Sequence, residues 1–114
     1  MKITKREIIE KAENLGWNVS FDINGAKGDK YAEFRQYSPA GEDFGFTVFY
    51  DTISEVPQMV AQYAYDFDID EHIEMWVEAK QEGVAGVPSI RRLVEDAEDI
   101  QEMLDKLSYE LNKR

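Results

Sequence analysis

The sequence predicts an α+β domain: an N-terminal helix, a three-stranded antiparallel meander, then three helices packed on one face of the sheet. Three observations predict it. Apolar residues recur at helical spacing from Ile8 to Leu15, and then at a period of two from Trp17 to Tyr50, interrupted by two turns. Helical spacing returns after Ser54 and holds to Leu111. A run of strands followed by a run of helices is the pattern of an α+β domain, in which helices cover one side of an antiparallel sheet.

The first helix opens at Thr4, which with Glu7 has the spacing of a capping box. Ile8, Ile9, Ala12 and Leu15 form its apolar face, and Gly16 ends it. In the first strand Trp17, Val19, Phe21 and Ile23 alternate with Asn18, Ser20, Asp22 and Asn24. Asn24 to Asp29 is turn chemistry, a second strand runs from Tyr31 to Tyr37, and Ser38 to Asp43 turns the chain again. In the third strand Phe44, Phe46, Val48 and Tyr50 point one way, while Gly45, Thr47, Phe49 and Asp51 point the other. Tyr31, Tyr37 and Phe49 then belong to the face or edge away from the helices. Short turns between neighbouring strands make an antiparallel meander.

Thr52 or Ser54 caps the next helix, with Ser54 the better candidate because it puts Pro57 in the first turn, where a missing N–H costs little. Val56, Met59, Val60, Tyr63, Ala64 and Phe67 form its apolar stripe. Asp68 and Glu71 offer a second capping box, opening a short helix whose Ile73, Trp76 and Val77 face inward. Gly83 to Pro88 is a loop. Ser89 caps a last helix carrying Ile90, Leu93, Val94, Ala97, Ile100, Leu104, Leu107 and Leu111, a heptad-like spacing.

The 114 residues fit one domain spanning 1–114. A chain of this length buries roughly two thirds of the surface its unfolded form exposes, so no staple is needed. It has no cysteine, which removes disulfides, thiolate metal sites and cysteine nucleophiles together. No segment reads as a signal peptide or a membrane span, and the expected location is the cytoplasm.

The net charge of −11 is unevenly placed. Residues 1–50 carry eight acidic and seven basic side chains, and residues 51–114 carry sixteen acidic and six basic. Direct binding to nucleic acid or to an anionic membrane needs clustered Lys and Arg, so this distribution argues against both.

Candidate catalytic and metal motifs fail on chemistry. Asp66, Asp68 and Asp70 open like an EF-hand loop, but its sixth and twelfth positions are Glu71 and Val77. Glutamate resists the sharp turn that glycine makes there, and valine supplies no bidentate carboxylate. These acids read as helix caps. His72 is the single histidine and reads as a surface residue of an acidic helix. No serine sits in a nucleophile elbow, and Gly83-x-x-Gly86 lacks the basic flanks of a phosphate-holding loop. The expectation is a non-enzymatic binding protein without cofactor or metal.

The strongest signal is acidic. Glu71, Glu74, Glu78 and Glu82 share one face of the short helix, with Asp68 at its start. Glu95, Glu98, Glu102 and Asp105 share one face of the last helix, flanked by Asp96 and Asp99. Like charges three and four residues apart repel by a few tenths of a kcal/mol per pair, about 0.2–0.5. Two readings follow. The stripes are solvated faces of an acidic protein, or they are rows of carboxylates that imitate a nucleic-acid backbone and occupy a basic groove.

The order of helix, three strands and helix is similar to that of double-stranded-RNA-binding domains. Their phosphate contacts require lysines on the helix after the third strand, and Ser54 to Asp68 contains no Lys or Arg. A second resemblance lies in Tyr65-Asp66-Phe67-Asp68-Ile69-Asp70-Glu71-His72-Ile73-Glu74-Met75-Trp76, with Gly86-Val87-Pro88-Ser89-Ile90-Arg91-Arg92-Leu93 and Glu95-Asp96-Ala97-Glu98. Residues 45–111 resemble small acidic proteins of Firmicutes prophages and conjugative elements. That resemblance implies a setting of anti-restriction and anti-CRISPR inhibitors, and supplies no catalytic residues.

The resulting expectation is a protein partner with a basic surface, a host nucleic-acid-binding or nuclease complex, held by Asp68, Glu71, Glu74, Glu78, Glu82, Glu95, Asp96, Glu98, Asp99, Glu102 and Asp105. The alternative is an assembly protein or homodimer that uses the sheet edge or the last helix.

Overall fold

A computed structural model describes residues 2–81 and 89–113. Glu82 and the Gly83–Pro88 loop, with its Gly-x-x-Gly motif, lie outside the described residues. The elements are α1 (Lys5–Asn14), β1 (Asn18–Asn24), β2 (Asp29–Tyr37), β3 (Asp43–Tyr50), a 3-10 turn (Ile53–Glu55), α2 (Val56–Asp66), α3 (Ile69–Gln81) and α4 (Ile90–Asn112). The strands pair antiparallel in the order β1-β2-β3, so the predicted α+β architecture and meander are present.

Each boundary has a local cause. Thr4 caps α1 by accepting from the Glu7 N–H at 3.2 Å. Gly16 adopts φ +91° past the end of α1, which lets the Trp17 N–H return to the Ala12 carbonyl at 3.0 Å. A Cβ at Gly16 would collide with the Gln36 side-chain amide. Gly16→Ala therefore should destabilise the fold by about 1–3 kcal/mol, read from the urea midpoint.

Neither Thr52 nor Ser54 caps α2 itself, whose N-cap position is Glu55 with no side-chain cap bond; Thr52 stands at the start of the 3-10 turn that precedes it. There the Glu55 carboxylate accepts from the Thr52 and Asp51 N–H groups at 2.7 and 2.8 Å. Those two bonds, Thr52 the larger, hold the Glu55 carboxyl below its ordinary value of 4.5. A lowered folded-state pKa adds stability that is present above pH 4.5 and lost as pH falls through the folded value. Wild type should therefore exceed Glu55→Gln in urea midpoint at neutral pH, with the gap closing under acid.

The sheet alternates as its sequence period requires. Ala32, Phe34, Phe44, Phe46, Val48 and Tyr50 are buried beneath the helices, while Arg35, Tyr37, Thr47 and Phe49 are exposed. Tyr31 and Phe49 are cross-strand partners on the open face, with ring centroids 5.8 Å apart. Four sequence expectations are corrected here. Trp17 precedes β1 rather than joining it, although it is buried; β2 begins at Asp29 rather than Tyr31. Ile23 sits at the outer end of an edge strand and is exposed, and Met59 lies at the rim of a cleft beside Phe49 rather than in the core.

α4 completes the core. Leu93, Ala97, Ile100, Leu104, Leu107 and Leu111 are buried along one stripe. Polar contacts fix its position: Lys11 Nζ donates to the Glu110 carbonyl (3.0 Å), Gln101 to the Ala64 carbonyl (2.9 Å) and Asn112 to the Pro57 carbonyl (3.0 Å). Among the described residues no helix is long and apolar enough to cross a membrane.

Candidate functional site

The predicted acidic residues divide into two groups. Asp68, Glu71, Glu74 and Glu78 are exposed along α3 and its entry, as are Glu95, Glu98, Glu102 and Asp105 on α4. Asp99 is half-buried on the flank of the α4 ridge. Successive residues turn by about 100° along a helix, so Glu95, Glu98, Glu102 and Asp105 stand opposite the Leu93–Ile100–Leu107 stripe. Of these exposed acids only Glu102 takes part in an ion pair among the described residues, with Lys106 at 3.2 Å, itself highly exposed. An exposed pair of this kind contributes about 0–1 kcal/mol and leaves the ridge strongly negative. Asp68 also caps α3, accepting from the Glu71 N–H at 3.1 Å.

Asp96 is not on that ridge. It is 6% exposed. It follows Leu93 by three residues and precedes Ile100 by four, which puts it on the buried stripe with Ala97. His72 is corrected in the same way: its side chain is 12% exposed rather than on the surface. One turn separates His72 from Trp76, and both lean from α3 toward the turn between β2 and β3.

That turn is built around Ser38, a buried residue whose N–H donates to the Glu42 carbonyl at 2.8 Å. The Glu42 N–H returns a bond to Ser38 Oγ at 3.1 Å, and Gly41 takes φ +93° to close the loop. Glu42 is thereby held facing α3. Its two carboxylate oxygens accept separately, Oε2 from His72 Nε2 at 2.9 Å and Oε1 from the Trp76 indole N–H. The His72 ring lies 5.5 Å from Phe67 and 6.2 Å from Phe44, which closes its apolar side. Asp96 approaches from α4, and donor atoms of Glu42, His72 and Asp96 all lie within 4.8 Å of one another.

The charges in this cluster are unequal. The hydrogen bond to Glu42 raises the His72 pKa above its ordinary value, against the effect of burial. Burial alone would raise the Glu42 carboxyl, but the bonds and charge from His72, with the Trp76 bond, outweigh it and the net direction is down. Asp96 is raised, first by burial and then by the neighbouring Glu42 charge, with the Ser38 hydroxyl acting in the opposite direction. Asp96 Oδ1 is buried without a hydrogen-bond partner. Beside it is a cavity of about 170 Å³ lined by Ala40, Gly41, Glu42, Trp76, Arg92, Leu93 and Asp96.

Two surfaces of different chemistry therefore lie on the same helices. The outer faces of α3 and α4 present solvated carboxylates. Between them and the β2–β3 turn is a sheltered knot of one imidazole and two carboxylates. Comparison of the chain with protein-family models, curated proteins and solved structures gives no match.

Proposed function

We propose that this chain is a non-enzymatic binding protein of mobile-element origin that inhibits a host nucleic-acid-binding or nuclease complex by occupying its basic surface. The observation that carries this reading is the outward row Glu95, Glu98, Glu102 and Asp105, with Glu71, Glu74 and Glu78 exposed on the neighbouring helix. Rows of carboxylates on rigid helices match the charge a phosphate-binding groove is built to receive. Asp96 leaves the set of contact residues, because a buried carboxylate cannot meet a partner surface.

Such binding depends on charge, so the partner should be captured from host lysate on the immobilised chain at low salt and released at high salt. The captured nuclease should also lose its cleavage activity when the chain is added. Capture that resists salt, or a captured nuclease with full activity, would count against the proposal.

The second reading is an assembly protein or homodimer, favoured by the open sheet face, where Tyr37 is 69% and Phe49 is 53% exposed. Light scattering on the eluting protein tests this reading: an assembly protein self-associates into a dimer or larger, which the inhibitor reading does not require.

A further inference from the structure

We propose that Glu42, His72 and Asp96 bind a divalent transition-type cation, zinc foremost, between the β2–β3 turn, α3 and α4. The donor atoms already lie within 4.8 Å of one another. A tetrahedral ion with bonds of about 2.0–2.2 Å holds its ligands roughly 3.4 Å apart, so small side-chain rotations complete the site.

The independent observation is Asp96. Its side chain comes from a residue 6% exposed, and its Oδ1 has no hydrogen-bond partner. Burying a carboxylate beside a second carboxylate is costly unless one of the two takes up a proton or a cation offsets both. An ion at this point supplies the positive charge and gives Oδ1 a ligand role. The cavity beside Asp96, about 170 Å³, has space for a water as fourth ligand.

The surrounding contacts fit ligation. Trp76 donates to Glu42 Oε1, which orients the carboxylate and leaves Oε2 for the metal. On binding, the ion replaces the proton that now bridges His72 Nε2 and Glu42 Oε2. One imidazole with two carboxylates suits zinc and its neighbours, whereas calcium takes six to eight oxygens and magnesium an octahedral shell, roughly, by their coordination habits. The site ties three elements together and is separate from the exposed ridges, so it stands or falls independently of the inhibitor reading.

The test is calorimetric titration of the chelator-stripped full chain with ZnCl₂, with thermal denaturation in parallel. The expected result is one zinc per chain and a higher melting temperature, with MgCl₂ giving no rise. Asp96→Asn and His72→Gln should each weaken zinc by roughly tenfold or more, as loss of ligands and their supports does. Asp96→Asn keeps the side-chain shape and removes a buried charge, so it remains folded by circular dichroism and decides the matter should His72→Gln melt early. Absence of stoichiometric zinc binding, unchanged affinity in Asp96→Asn, or an equal response to MgCl₂ would overturn the assignment.

Discussion

Replacing Trp17 with alanine should lower the unfolding free energy by about 3–5 kcal/mol, the range for deleting a large aromatic side chain from a packed core. Trp17 is 1% exposed. Its ring meets Phe46, Phe44 and Phe34 edge-on, with centroids at 5.6, 6.3 and 6.5 Å. Three strand residues and the end of α1 thus converge on one side chain, and alanine would leave a void that a sheet and a helix cannot both close. The indole Nε1 has no hydrogen-bond partner, so the expected loss is one of packing rather than of polar contact. Trp17→Phe should therefore retain most of the stability. A small domain has only about 5–15 kcal/mol to lose, so the alanine variant should be near its limit. A loss below about 1 kcal/mol would show that the α1–β1 junction does not organise the core.

The second large effect concerns binding. Reversing Glu95, Asp99 and Glu102 to lysine should abolish partner binding while the circular dichroism spectrum is unchanged. The substitutions raise the net charge from −11 to −5 and put cations on the α4 face that the proposal assigns to recognition. Their cost to the fold is small. Glu95 and Glu102 are exposed, Asp99 is half-buried, and the Glu102–Lys106 pair that is lost is exposed and weak. The loss of binding should appear first in the association rate, because long-range attraction guides encounter.

The sequence was informative where periodicity decides structure. The alternation from Val19 to Tyr50 and the stripe from Leu93 to Leu111 have single structural solutions, because a shift of one residue would expose the whole apolar set. Local choices were harder to read. Ser54 is the better cap by local pattern because it puts Pro57 in the first turn, whereas the insertion of a 3-10 turn depends on Glu55 folding back onto Thr52. The Glu42–His72–Asp96 cluster was only partly readable. Glu42 and His72 are 30 residues apart and meet through tertiary packing that no local pattern encodes. Asp96 was different. Its steps of three from Leu93 and four to Ile100 put it on the core stripe, a signal outweighed by its acidic neighbours Glu95, Glu98 and Asp99. Charge type suggested a surface ridge; helical phase determined the actual position.

The most direct test of the inhibitor proposal is displacement by duplex DNA. The captured partner, bound to immobilised wild-type chain at low salt, is challenged with increasing duplex, and the same capture is attempted on the Glu95→Lys/Asp99→Lys/Glu102→Lys variant. The proposal predicts release of the partner by duplex and no capture by the variant. A partner that duplex fails to displace, and that the folded variant holds as tightly as wild type, would contradict it.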